Sequence, residues 1–80
     1  MSNVKPLSEF KKGESGTITE IQQLEDPLTQ RLMKMGFLKG ELIQVLHEAP
    51  VSRDPIAVKV RGGLIAIRRS EAKRILISNQ

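Results

Sequence analysis

The sequence DPLTQRLMKMGFLKGELIQVL, residues 26–46, decides the fold, because it predicts a short helix that stops at a glycine and turns into a strand. Asp26 is suited to cap the first helical N–H groups, and Pro27 fits the first helical position, where a missing N–H costs nothing. Gly36 fits the position after the helix, where a left-handed conformation is cheap for glycine alone. A two-turn helix is not stable by itself, so we expect it to pack on strands.

The apolar residues of this helix predict which of its sides faces the core. Leu28, Leu32 and Met35 recur at i, i+4 and i+7 and form one stripe that we expect to point inward. Met33 lies off this stripe, and Phe37 is placed to fold back on Leu32 after the glycine stop.

Five apolar or β-branched runs predict five short strands, separated by glycine and proline turns. These are residues 17–21, 42–46, 56–60, 65–67 and 75–77. Ile18 and Ile21 stand three apart, which indicates a bulge between them. We expect Ile43 and Val45 to face inward, with His47 on the same side at the end of that strand.

The remaining segments predict turns. Residues 3–12 are expected to form an irregular lead-in, in which Leu7 and Phe10 share one helical turn that plugs the core. Gly62 and Gly63 indicate a hairpin with positive φ, and Ser70 is expected to cap a single helical turn before the last strand.

The pattern is mainly β and predicts a small SH3-like five-stranded barrel with one short α-helix inserted after the first strand; an OB-type topology is the alternative. We expect a single domain over residues 1–80, with a core from about 7 to 77. Closure of such a barrel would remove exposed strand edges.

The composition narrows the function. The chain has no cysteine, which rules out disulfides and thiolate metal sites and fits a reducing cytoplasm. No apolar run approaches the roughly 20 residues of a membrane helix, so we expect a cytoplasmic protein without direct membrane insertion. Two phenylalanines are the only aromatic residues, so the chain lacks the rings that line proline-peptide grooves or stack single-stranded bases.

The positive charge is concentrated near the C-terminus. Residues 55–80 carry six basic side chains and one acidic side chain, against seven and eight in residues 1–54. One hypothesis is RNA binding by a small barrel through this basic set, which would make affinity fall steeply with salt; the other is an ordinary solvated face. The basic set consists of Lys59, Arg61, Arg68, Arg69, Lys73 and Arg74.

No catalytic motif is visible, so we predict no catalytic residue and no enzyme activity. The chain has one histidine and neither a Gly-x-Ser-x-Gly segment nor a phosphate-binding glycine loop. His47, Glu48 and Asp54 are the only local set with the ligand types that Fe²⁺ or another divalent transition metal prefers. We predict no tightly bound cofactor and, at most, weak metal binding there.

The end of the helix is a candidate partner-binding patch. Met33 and Leu38 are adaptable apolar side chains, and basic residues surround them at Arg31, Lys34 and Lys39. The alternative is that both apolar residues fold down against the barrel.

The run LMKMGF at 32–37, followed by Gly40, resembles the Leu-x-x-x-Gly-hydrophobic-x-x-Gly segment of FeoA-type proteins, the ferrous iron transport proteins A. The resemblance continues through Ala49-Pro50, residues 54–56, Gly62-Gly63 and residues 65–68. It also covers the opening from Leu7 to Ile18 and the end at Ile75. It therefore extends over almost the whole chain.

This resemblance implies an SH3-like barrel that serves ferrous iron uptake as an accessory of FeoB, a membrane transporter with a cytoplasmic GTP-binding part. A similar domain occurs at the C-terminus of DtxR-type metal-dependent repressors, but this chain has no room for their DNA-binding domain, so DNA is not expected as a partner. A homo-oligomer is compatible with the sequence. The candidate partner-binding residues are Arg31, Met33, Lys34, Gly36, Phe37, Leu38, Lys39 and Arg53, the last also as an arginine finger for GTP hydrolysis.

Overall fold

The structure, a computed structural model, describes residues 3–79 and contains one antiparallel sheet of six strands. The strands are β1 (Asn3–Pro6), β2 (Ser15–Ile21), β3 (Leu42–Glu48), β4 (Ile56–Val60), β5 (Gly63–Ile67) and β6 (Ile75–Asn79). A 3-10 turn occupies Leu7–Glu9, α1 spans Pro27–Lys34 and α2 spans Arg69–Ala72. Residues 1, 2 and 80 of the predicted domain lie outside the described residues. Within residues 3–79, no helix has the length and apolar character needed to cross a membrane.

The mainly β prediction is confirmed, and the structure adds one strand. The strand order is β1-β6-β2-β3-β4-β5, and α1 follows β2, the first of the strands that the sequence predicted. The segment predicted as an irregular lead-in begins with β1, which pairs with β6 through Lys5 and Ile77. The four residues of β1 include a lysine and a proline, and their sequence shows no strand pattern. They form a strand because one side of β6 is available for backbone pairing.

The sheet keeps two edges. Strands β1 and β5 stand at its ends, and no ladder joins them within residues 3–79. The expectation that barrel closure would remove exposed edges is therefore wrong for this chain.

The predicted core positions are largely confirmed. Ile43 and Val45 are buried, as is the alternating set of β4. Leu7 and Phe10 are fully buried on the 3-10 turn and its cap. The register of β2 against β6 shifts between Ile18 and Glu20, which is the predicted bulge.

The helix ends form as the sequence predicts. The Asp26 Oδ1 atom accepts a hydrogen bond from the Leu28 N–H at 2.9 Å, with Pro27 at the first helical position. Gly36 has φ +115°, and the Phe37 N–H donates to the Leu32 carbonyl at 3.1 Å.

The predicted inward stripe of α1 is wrong at Met35, whereas Leu32 is buried and Leu28 half-buried. Thr29 and Leu32 are the buried residues, Met33 packs partly buried against the core, and Met35 is 40% exposed. Thr29 takes an inward position because its hydroxyl accepts a hydrogen bond from Arg74 Nη1 at 2.9 Å. This contact turns a polar position inward, which apolar periodicity does not show.

Two turns also differ from prediction. The hairpin turn between β4 and β5 is made by Arg61 and Gly62, with φ 51° and 81°, whereas Gly63 already belongs to β5. Helix α2 begins after Arg68 rather than at Ser70. Its first turn is held by the Glu71 carboxylate, which accepts a hydrogen bond from the Arg68 N–H at 3.1 Å.

Candidate functional site

A surface groove lies where the end of α1 meets the hairpin of β4 and β5. We call it the helix–hairpin groove, and it is open to solvent along its length. Its lining residues are Met33, Lys34, Met35, Gly36, Leu38, Val60, Arg61, Gly63 and Ile65.

Gly36 sets the distance between the two walls of the groove. Its φ of +115° ends the helix, and a Cβ at this position would lie 3.0 Å from the Cδ of Arg61. The Arg61 side chain therefore passes close to the glycine, and a larger residue at position 36 would require this side chain to shift. The Arg61 guanidinium reaches Glu41 at 3.4 Å, in an exposed ion pair that contributes little stability.

The groove combines apolar and basic side chains, and its exposed lining is more polar than apolar. Met35 is 40% exposed, whereas Met33, Leu38 and Ile65 are half-buried. Lys34 and Arg61 contribute positive charge to the lining. Such a surface suits an apolar contact framed by acidic groups.

The structure separates the predicted partner-binding residues. The groove is lined by Met33, Lys34, Gly36 and Leu38. Arg31 and Lys39 are close to these residues in the sequence and are exposed, but they do not line the groove. Both apolar residues of the predicted patch fold partly down, and both still reach the groove.

Two other members of that set lie elsewhere. The Phe37 side chain is fully buried in the core, so its prediction as a partner contact is wrong. Arg53 is exposed in a separate depression, with Ser8, Lys11 and Arg69. A role for Arg53 as an arginine finger stays a prediction.

The hairpin side of the groove was missed by sequence reasoning. Arg61, Gly63 and Ile65 come close to the helix end only through the sheet, and no local pattern links residues so far apart in the chain. Met35 was assigned to the core on its spacing. It lies at the cap position, after the last helical residue, so helical spacing does not decide where its side chain points.

A second region gathers polar groups around Arg69. Its guanidinium donates to Glu48 Oε2 at 2.6 Å, to the carbonyls of Ser8 and Phe10 at 2.9 and 2.7 Å, and to the Arg53 carbonyl at 2.8 Å. Its backbone N–H donates to Asp54 Oδ1 at 2.9 Å. One side chain thus joins the 3-10 turn, the end of β3 and the loop at 49–55.

This arrangement contradicts the prediction that His47, Glu48 and Asp54 lie together as a cluster of metal ligands. Arg69 engages both carboxylates, Glu48 and Asp54. A register shift in β3 between Val45 and His47 leaves the histidine exposed rather than on the inner side of the strand. Within residues 3–79, no three histidine, cysteine or acidic side chains come together in a way that would hold a metal ion.

The basic C-terminal set is partly used inside the chain. Arg61 pairs with Glu41, Arg69 with Glu48. Arg74 is 9% exposed, and its Nη1 atom contacts Asp26 Oδ2 at 3.0 Å. Lys59, Arg68 and Lys73 are exposed. Half of the set is thus engaged in ion pairs within the chain, which reduces the positive charge left for the RNA hypothesis.

Two carboxylates have lowered pKa values, and both lie outside the groove. The Leu28 backbone N–H, followed by the Arg74 guanidinium, holds the pKa of Asp26 below its usual value. The Lys11 backbone N–H, at 2.7 Å, lowers the pKa of Glu14, with Lys5 adding to the effect. These shifts mark structural contacts and do not indicate acid–base chemistry.

The fold defines the class as an SH3-like domain. The FeoA protein of Stenotrophomonas maltophilia, which was solved in complex with zinc and is described as an SH3 domain protein, superimposes with a TM-score of 0.81 at 33% identity, over 100% of this chain and 95% of that one. A manganese-dependent transcriptional repressor superimposes with a TM-score of 0.83 at 15% identity, over 100% of this chain and 44% of the repressor, and so shares the fold alone.

The chain belongs to the FeoA family, since the sequence model of the FeoA domain matches residues 5–79. A fusion of Fe(2+) transport protein A with the Fe(2+) transporter FeoB, from Porphyromonas gingivalis, is 30% identical over 69 residues. That match covers 86% of this chain but 8% of the fusion protein. The predicted resemblance is therefore confirmed, and the family is linked to ferrous iron transport.

Proposed function

We propose that this chain acts in the cytoplasm by binding the cytoplasmic part of a FeoB-type ferrous iron transporter, and that it tunes the transporter through protein–protein contacts without catalysing a reaction. The helix–hairpin groove is the observation that carries the proposal, because it offers apolar side chains beside positive charge. The fusion of a FeoA protein to FeoB in the relative from Porphyromonas gingivalis supports the choice of partner.

The side chains of the groove favour a weak, adjustable contact. Methionine side chains adapt to different partner shapes, and basic residues speed association with an acidic surface. A covalent link between the two proteins raises the effective concentration to about the millimolar range. A fused pair therefore tolerates a contact that would be transient between separate chains.

A titration with the cytoplasmic part of the FeoB-type transporter from the same cell tests the proposal, in the GDP state and with a GTP analogue. Met35→Glu places a carboxylate in the groove, and we expect it to weaken binding at least tenfold. Val51→Glu is the matched control, because Val51 is 98% exposed in the loop at 49–55 and does not line the groove. If the chain binds neither this part nor the intact transporter, the proposal is refuted. If both variants lose the same affinity, the groove is not the contact surface.

Metal binding is a second candidate, favoured by the zinc complex of the Stenotrophomonas maltophilia protein. His47 is the exposed member of the predicted metal set, whereas Arg69 contacts both Glu48 and Asp54. Anaerobic calorimetry with Fe²⁺ and Zn²⁺ tests this candidate, with His47→Ala expected to abolish the heat of binding. Unchanged heat in that variant would exclude His47 as a ligand.

A further inference from the structure

The two edges of the sheet differ in their protection against strand pairing. Edge strand β1 carries Lys5 and Pro6, and Lys5 is fixed by Glu14 at 3.2 Å and by the Phe10 ring at 4.8 Å. Lysine and proline are the devices by which natural edge strands avoid unwanted partners. Edge strand β5 has the sequence GLIAI, without a charge or a proline. An unprotected edge of this kind is a site where another strand can be added.

The hairpin register decides which groups of β5 face outward. Val60 pairs with Gly63 across the two-residue turn, and the pairing alternates along the ladder to Ile56 and Ile67. In an antiparallel ladder every second residue directs its N–H and C=O to the neighbouring strand. Gly63, Ile65 and Ile67 therefore bond to β4.

Leu64 and Ala66 direct their backbone groups away from the sheet. Between residues 3 and 79, no strand pairs with this outer side of β5, and no hydrogen bond from elsewhere in the chain reaches these two residues. Two donors and two acceptors are thus left for an incoming strand. Leu64 is 60% exposed and Ala66 is exposed as well, so neither side chain blocks its approach.

The edge is continuous with the helix–hairpin groove, because Gly63 and Ile65 belong to both. A strand added to β5 would place every second side chain on the groove side, against apolar residues. Its centre should therefore be apolar.

Charge at the two ends of β5 selects the occupant. Two copies of this chain, paired antiparallel with Leu64 opposite Ala66, would place the exposed Arg68 of each copy beside the other copy's turn, which carries Arg61. Like charges in facing positions destabilise a strand pair. The same arginines would attract a segment that carries acidic residues at its ends.

We propose that β5 accepts an extended segment of the transporter's cytoplasmic part as a seventh strand, and that this segment is apolar at its centre and acidic at its ends. The inference rests on the proposed function and specifies its mode of contact. Backbone hydrogen bonds to Leu64 and Ala66 supply affinity, and the groove supplies side-chain selectivity.

Amide hydrogen exchange, measured for the chain alone and with the transporter's cytoplasmic part, tests this mode. We expect exchange at Leu64 and Ala66 to slow at least tenfold in the complex, whereas Gly63, Ile65 and Ile67 are already protected by β4. A complex that forms without added protection at Leu64 and Ala66 would overturn the strand addition and leave the proposed function intact. Absence of any complex would overturn both. Slowing with rising concentration of the chain alone, with a doubled mass, would assign the edge to a second copy.

Substitutions at position 66 provide a matched pair. Ala66→Pro removes one outward N–H without removing a bond to β4, since proline is tolerated on an edge where its nitrogen faces solvent. We expect binding to weaken at least tenfold, whereas Ala66→Thr keeps the N–H and should bind within threefold of the original chain. Equal affinity of the two variants would overturn the proposal.

The charge at the edge gives an independent measurement that does not depend on the folding of the proline variant. Arg68→Gln removes a charge whose side chain is exposed. We expect about threefold weaker binding and a shallower dependence on salt. An unchanged salt dependence would overturn the proposal that the segment is acidic at its ends.

Discussion

Two regions of this small domain differ in whether their polar groups are hydrogen-bonded within the chain. Around α2, which we call the arginine clamp, Arg69 and Arg74 donate to carboxylates, carbonyls and a hydroxyl of the same chain. At the helix–hairpin groove and β5, backbone groups and apolar side chains remain open to solvent. Within the described residues, no buried side-chain polar atom lacks a partner. The difference indicates that the clamp holds the domain together, and that the open region is available to another molecule.

Arg69→Met should produce the largest effect, because it leaves Glu48 and three carbonyls without their donor. Removing one partner of a mostly buried ion pair costs about 3 kcal/mol or more. Urea unfolding monitored by circular dichroism measures this loss. Arg68→Met is the control, since Arg68 is exposed and a surface change should stay within about 0.5 kcal/mol. Equal stability of the two variants would contradict the assignment of the clamp.

Gly36→Ala should come second, and it connects the groove to stability. Its φ of +115° is strained for alanine, and the added Cβ would meet Arg61 at 3.0 Å. We expect a loss of about 2 kcal/mol in the free energy of unfolding. Gly13→Ala is the matched control, because its φ is +94° and no atom lies within 4 Å of the added Cβ. Its smaller loss reports backbone strain alone, and an equal loss would show that the Arg61 contact contributes nothing.

Acid should weaken the clamp. The pKa of Asp26 is lowered in the folded chain by the Leu28 N–H and by Arg74. A carboxylate with a lowered pKa contributes stability above its unfolded value, near 3.8, and loses it as the pH falls through the folded value. Stability should therefore decline below about pH 4. Urea unfolding from pH 6 to pH 2.5 should show a shallower decline for Asp26→Asn, whereas an identical profile would contradict this linkage.

Leu64→Thr should have the smallest effect on stability and so marks the open region. Leu64 is 60% exposed on the outer face of β5, and threonine suits a strand. We expect unfolding free energy within about 0.5 kcal/mol of the original chain, together with about threefold weaker binding to the transporter's cytoplasmic part. A stability loss above about 1 kcal/mol would mean that Leu64 contributes to the core.

Local signals made much of the fold predictable. Asp26, Pro27 and Gly36 act through bonds and dihedral angles within a few residues, so the bounds of α1 could be predicted correctly. Ile43 and Val45 could be placed inward because the polar Gln44 between them would otherwise be buried without a partner. The family could also be predicted, because turn residues keep their order and spacing along the chain.

The candidate site was only half predictable. The helix side of the groove could be found from apolar and basic residues next to a glycine stop. The hairpin side could not, because Arg61 and Ile65 reach the helix end only through the sheet. The position of His47 relative to Glu48 and Asp54 could not be predicted from their proximity in the sequence, because it depends on the bulge in β3 and on the contacts of both carboxylates with Arg69.

The sequence by itself determined where the helix starts and stops, that Ile43 and Val45 face inward and to which family the chain belongs, because these depend on neighbours along the chain. Only the tertiary structure decided which arginines are engaged in hydrogen bonds within the molecule and which edge of the sheet stays unpaired. The reason is physical: a guanidinium is satisfied by whichever acceptors the folded chain brings within about 3 Å, and strand edges exist only once the sheet order is set.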